Sequence, residues 1–322
     1  MTQRGSSLLI ALVVGLCAAG CDGATEVSSP PTAPSSAPAN QPIGDLVFAR
    51  ADVVVDESVS HYRNSDLYVL AVGGAEPHQI TSGPGVDSEP AWSPDGSQVA
   101  FVRTTYDSGL IRFKTMVVDK TGKHLRVLSG CGSSDCAFTS PRWVDDTHVG
   151  WVVADSDGGF VQVAALGATT SPESIQFPDG FSVAFADWLH DGSLVVLGTQ
   201  GSNPFAVWTA EPDGSGLDQL EVCDRSECPP IADFAATEND AGLEIAYRRT
   251  SSPLYVSDGT DSGVELVECD GTQCPNDPDW GARYIAYALG DAWGGSIGIM
   301  DPVSLETVML TDGPLDFDPD IS

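Results

Sequence analysis

Carboxylates recur at one kind of position in this sequence. Asp187, Asp233 and Asp279 each stand directly before an aromatic residue, Asp320 stands before Ile321, and Arg142 stands before Trp143. Brought together, four carboxylates around one point could hold a divalent cation or a basic segment, with Arg142 as an internal counter-charge. An aspartate beside a strand has a second use, accepting hydrogen bonds from nearby backbone, and this structural use is the one expected here. The stretch "DFDPD" adds Asp316, Asp318 and Asp320 at alternate positions, which a regular strand would project to one side. "DSDGG" at 155–159 begins like a calcium loop but lacks the distal glutamate. Calcium or another divalent ion is the one cofactor these patterns suggest, and none is required.

Other chemistry fails on context. "GGSIG" at 294–298 matches G-x-S-x-G with Ser296 as nucleophile, but that motif needs a strand-to-helix turn and a later histidine. No histidine follows His190, and His61, His78, His124, His148 and His190 show no ligand spacing. No catalytic residue is assigned. Six cysteines form three loops of one spacing: Cys131 and Cys136, Cys223 and Cys228, Cys269 and Cys274. Convergent C-x2-C pairs would suggest zinc; separated C-x4-C pairs in an exported chain suggest disulfides, with local pairing the simplest connectivity.

The elements that must position these residues repeat. "PAWSPDGSQVAF" has partners at 141–151, 186–197, 232–247 and 278–287, anchored on Trp92, Trp143, Trp188, Phe234 and Trp280. The anchors are spaced 51, 45, 46 and 46 residues apart, and Ile321 serves as the sixth. Pro94 and Gly96 suit a tight reversal between two strands, and two more alternating segments follow each hairpin. Four short strands per repeat predict an all-β, six-bladed β-propeller of four-stranded antiparallel blades. "DPDIS" at the C-terminus aligns with "EPAWS", and "DLVFAR" at 45–50 aligns with "QVAFVR". The ring is therefore expected to close by pairing of the N- and C-terminal strands.

The run Glu89–Phe101 resembles the repeat of the TolB-type, WD-like propellers, a family pattern of the form D-P-x-W-S-P-D-G-x-x-[IV]-A-[FY]. The resemblance covers 45–322 and implies the propeller architecture, without the α/β domain that precedes it in TolB. One face is expected to collect the cysteine loops, the residues preceding each anchor, and the loops bearing His61, Tyr62, Tyr106, Phe205 and Trp293.

Ahead of the propeller, Arg4 and the apolar run Leu8–Ala18 read as a signal peptide over 1–20, and "AAGC" resembles a bacterial lipobox with Cys21 as the acylated residue. Residues 21–43, rich in Ser, Pro and Ala, form a tether that cannot support a core. A formal charge of −32 makes nucleic acid and anionic lipid headgroups poor partners, leaving the lipid anchor as the only membrane attachment. The expectation is an exported, lipid-anchored protein at the cell envelope, periplasmic or at the surface, that binds a protein or peptide of basic character. Two alternatives stand beside it: a cation-dependent hydrolase or lactonase acting at the channel mouth, and a structural envelope protein with an acidic surface.

Overall fold

Short alternating segments separated by Asp-Gly turns pair with their nearest neighbours. The computed structural model describes residues 44–322, apart from 57–58, 72–73, 75, 108–109, 132–135, 157, 202, 204, 221–230, 240–241, 250–251, 261–262, 270–272, 282, 292–293 and 314. Strand β1 (Leu46–Asp56) pairs antiparallel with β2 (Val59–Leu70), which carries a short outer strand β3 (His78–Gln79). A four-stranded meander follows: β4 (Gly85–Trp92), β5 (Gln98–Asp107), β6 (Leu110–Asp119) and β7 (Arg126–Cys131). The next is β8 (Cys136–Asp145), β9 (His148–Asp155), β10 (Gly158–Ala165) and β11 (Glu173–Ile175). Then come β12 (Phe181–Trp188), β13 (Leu194–Gln200), β14 (Ala206–Ala210) and β15 (Asp218–Gln219). After them lie β16 (Ile231–Asn239), β17 (Gly242–Arg249), β18 (Leu254–Ser257) and β19 (Val264–Val267). The last full meander is β20 (Cys274–Trp280), β21 (Ile285–Asp291), β22 (Gly294–Met300) and β23 (Thr307–Met309). The final strand β24 (Asp316–Ile321) returns to β1, with Leu46 opposite Ile321 and Val47 opposite Asp320. The described residues form no helix, and the chain is a β-propeller of four-stranded antiparallel blades.

The turn chemistry is local and repeated. In Ser93–Gly96, Gly96 takes φ 64° and donates its N–H to the Ser93 carbonyl at 2.8 Å. Asp95 accepts from the Ser97 N–H at 3.0 Å and from the Ser93 hydroxyl at 2.6 Å, and these bonds hold its carboxyl below the usual range. Asp191, Asp213 and Asp258 repeat that arrangement, each accepting an N–H two residues on.

Blades pack through a size match. Each anchor lies over a small or slender residue on the second strand of the preceding blade: Trp143 shares a buried cluster with Ala100, Ile321 with Ala286, and Trp92 with Val47. Trp280 packs on the cluster containing Ala246. The outer edges are blunted in two ways. Five outer strands have only two to four residues, too short to recruit another chain. The exception, β7, has six residues, but its ladder is broken by a bulge at Thr115/Met116, and the three lysines of the chain, Lys114, Lys120 and Lys123, surround it. Bulges and edge lysines are what keep a long edge from pairing further.

Cys131–Cys136 and Cys269–Cys274 are bonded pairs, each stapling the approach to an inner strand. Cys223 and Cys228 lie outside the described residues. Replacing both Cys269 and Cys274 by serine removes a short loop constraint, so a loss of about 2 kcal/mol in urea unfolding is expected. No change in the midpoint would show that the β20 approach is held by other contacts.

Three expectations change. Strand register places Ala236, not Phe234, opposite Ile245, where Trp280 stands opposite Ile285. Phe234 imitates an anchor in sequence because it is an aromatic after aspartate, but the β16–β17 hairpin is longer and moves the anchor two residues on. Asp316 does not share a side with Asp318 and Asp320. The ladder shifts between Val47 and Ala49, and Asp316 turns instead to Arg50, at 2.6 and 2.9 Å. Finally, the residues before the anchors do not open on the cysteine-loop face. Arg142 lies six residues along β8 from Cys136, roughly 20 Å for an extended strand, and so reaches the opposite end of the channel.

Candidate functional site

Six strands, β4, β8, β12, β16, β20 and β24, converge on one cavity of 290 Å³. Its walls are Trp92, Trp143, Trp188 and Trp280, its polar groups are Arg142, Asp187, Asp279 and Asp320, and its rim carries His190 and Glu238. Three of the four expected aspartates and the arginine therefore meet at this mouth. Asp233 does not; Ala235 takes the equivalent register position, and Asp233 sits deeper, bound to Arg248 at 2.6 and 2.9 Å.

Each mouth aspartate reaches forward to the next inner strand. Asp187 Oδ2 accepts the Ala236 N–H at 3.0 Å, Asp279 Oδ2 the Ile321 N–H at 3.1 Å, and Asp320 Oδ1 the Trp92 N–H at 3.1 Å. Asp187 also caps its own strand through the Trp188 N–H at 2.9 Å. A carboxylate–amide bond of this kind is worth about 1.5–3 kcal/mol and fixes the angle between neighbouring blades.

A second tier, which the spacing of the anchors did not point to, lies deeper. Glu89, Ser140, Asp277 and Asp318 each precede a proline and take φ of 51°, 50°, 48° and 48°. Left-handed backbone before proline is strained and persists only where its surroundings hold it. Here the holders are acids of the preceding blade. Asp318 Oδ2 accepts the Glu89 N–H at 2.8 Å, Glu89 accepts that of Ser140, and Asp233 accepts that of Asp277 at 3.5 Å. Asp277 in turn accepts the N–H of Asp318. The recurrent X-Pro two residues ahead of the anchor was the available sequence signal.

Enclosure shapes the charges. Burial pushes Asp279 up to about 6 against the pull of Arg142, and Asp318 up to about 7, with the Glu89 charge adding to it. Burial also raises Asp277, Asp320 and Glu89. Burial opposes the Arg142 cation too, but Asp187, Asp279, Asp320 and Glu89 outweigh it. Among the described residues no set of three His, Cys, Asp or Glu side chains is disposed to hold a metal ion. The mouth acids cap backbone N–H groups and share the charge of Arg142, so the arrangement offers electrostatic attraction for a cation.

The other sequence-derived residues lie apart from the mouth. Ser296 lies within β22 opposite Leu289, with no elbow. His148 and His124 bind the turn carboxylates Asp145 and Asp119. Asp155 and Gly158 close a hairpin in the "DSDGG" stretch, where Asp157 lies outside the described residues. Tyr106, near the end of β5 and opposite Ile111, and Phe205, just before β14, are exposed. The side chains of His61 and Tyr62, and all of Trp293, lie outside the described residues, as do Cys21 and the segments 1–20 and 21–43.

No family model matches the chain. Among curated proteins, dipeptidyl-peptidase 5 of Aspergillus fumigatus is 25% identical over 169 residues, 48% of this chain and 23% of that protein. The chain thus spans under a quarter of the relative it matches. Among solved structures, TolB from Acinetobacter baumannii superposes with a TM-score of 0.61 at 14% identity, covering 86% of this chain and 66% of that one. Kuenenia stuttgartiensis hydrazine synthase gives 0.63 at 11% identity over 87% of this chain and 46% of that one. A puromycin-hydrolysing peptidase of Mycobacterium tuberculosis gives 0.53 at 17% identity, over 82% and 45%. These likenesses show a TolB-like propeller fold.

Proposed function

We propose that this chain is a six-bladed propeller, closed where β24 joins β1, that holds a basic segment of another protein at its acidic mouth and performs no chemistry itself. One observation carries the reading: Asp187, Asp279 and Asp320 each serve a backbone N–H around a tryptophan-walled recess in which acids outnumber the one arginine. At 290 Å³ the recess sits at the lower end of ligand-site volumes, suited to one or two side chains rather than a large substrate. A guanidinium or ammonium group fits it, meeting carboxylates and indole faces together. The hydrolase alternative would have to recruit Asp187, Asp279 or Asp320 away from the backbone N–H groups they cap. Two bonded cysteine pairs support export to an oxidising compartment, and acylation at Cys21 with the 21–43 segment as spacer would leave the mouth free to meet its partner.

The test is titration of intrinsic tryptophan fluorescence with an amidated tetra-arginine peptide at pH 8. Saturable quenching is expected, weakened about tenfold by Asp187→Asn/Asp279→Asn, which keeps the backbone acceptors while removing two charges. Equal affinity for wild type and variant would remove the mouth from the function.

A further inference from the structure

Two neighbouring inner strands carry one tripeptide: Asp277-Pro278-Asp279 on β20 and Asp318-Pro319-Asp320 on β24. They lie side by side, stitched by the Asp279 acceptor on the Ile321 N–H and the Asp277 acceptor on the Asp318 N–H. Carboxyl meets carboxyl twice, Asp277 with Asp318 and Asp279 with Asp320, each pair within hydrogen-bonding reach. Such a contact is attractive only while one member holds a proton. The surroundings do not neutralise the pairs. Glu89 faces them from β4, Asp187 from β12 and Asp233 from β16, with Glu238 and His190 on the rim. Against these acids stand Arg142 on β8, shared among four carboxylates, and Arg248 on β17, bound to Asp233.

We propose that the facing Asp-Pro-Asp strands form a proton-operated latch: one proton per carboxyl pair holds β24 against β20, and loss of those protons loosens the final strand. β24 also supplies the caps on Glu89 and Trp92 and the pairing to β1, so loosening it reaches the mouth directly. Asp279 at about 6 and Asp318 at about 7 mark the loss of the first proton from each pair, while Asp320 and Asp277, raised well above the usual value, keep the second, so the change falls above pH 7. The sign follows from folded values raised above the unfolded ones. The stabilisation is complete below about pH 4, the unfolded aspartate value, declines as pH rises, and is lost once the second proton of each pair leaves above pH 7.

Hydrogen exchange on the full chain tests the latch. Deuterium uptake of segment 316–322, corrected for the intrinsic pH dependence of exchange, is compared with that of 194–200 in β13 at pH 5.5 and pH 8. A several-fold rise confined to 316–322 is expected, with a wild-type Tm lower at pH 8 than at pH 5.5 by on the order of 5 °C. Asp277→Asn/Asp279→Asn, which leaves each pair one ionisable member, should abolish the pH difference in both readings. Equal pH responses of the two segments in wild type would overturn the proposal, as would an unchanged response in a folded variant. If the variant does not fold, the wild-type comparison decides alone.

Discussion

Replacing Arg142 with methionine is expected to destabilise the fold by about 3–5 kcal/mol at pH 8, and by clearly less at pH 5. Arg142 is the cation that Asp187, Asp279, Asp320 and Glu89 share, and its side chain is only 21% exposed. Its short bond is to the Pro141 carbonyl at 3.1 Å, and Asp187 Oδ1 is 4.0 Å from Nε, so its value to the acids lies in the field it supplies to several of them. Methionine fills much of the same volume, which keeps the loss electrostatic rather than steric. At pH 8 Asp279 and Asp318 are ionised and uncompensated without the guanidinium. At pH 5 Asp279 and Asp318, at about 6 and about 7, have taken up protons, and less charge needs a partner. Urea unfolding at both pH values measures the difference. An equal loss at both would mean that Arg142 acts by packing, and the electrostatic account of the channel would fail with it.

What the sequence showed and what it hid divide along a physical line. The Ser93–Gly96 turn, the alternation in Gln98–Asp107 and the anchor spacing are local patterns, and each became the expected strand or turn. The pairing of Leu46 with Ile321 was also legible, because the two ends of the chain are halves of one repeat. The inner-strand bulges were not. One extra residue moves every later side chain to the other side, so the alternation in "DFDPD" was misleading, and only the proline after Asp318 marks the place. Asp233 failed for a related reason, since β16 keeps its acid and aromatic but shifts their register against β17. The acids of the deeper tier act on the next blade, a contact that no pattern within one repeat contains.

Gly150→Val should cost on the order of 3 kcal/mol, although the site carries no unusual backbone. Gly150 lies on β9 opposite Arg142, and a Cβ there would stand 2.1 Å from Trp188 Cη2 and 2.4 Å from Cζ2. The indole is the anchor of the following blade, and it cannot yield. Val152, Val183, Leu194 and Val196, all buried, share its cluster and confine it. The equivalent position below Trp143 is Ala100 and below Trp92 is Val47, so the second strand carries a small or slender residue where a tryptophan lies across it. This makes the pair a test of how blades are held together. Trp188→Ala alone should cost about 3–5 kcal/mol by opening a cavity. In the double variant the valine enters that cavity, so the combined loss should fall short of the sum by about 2 kcal/mol, measured by a denaturant cycle. Strict additivity would mean that glycine and indole do not compete for one volume, and that the blades are spaced by the carboxylate caps alone.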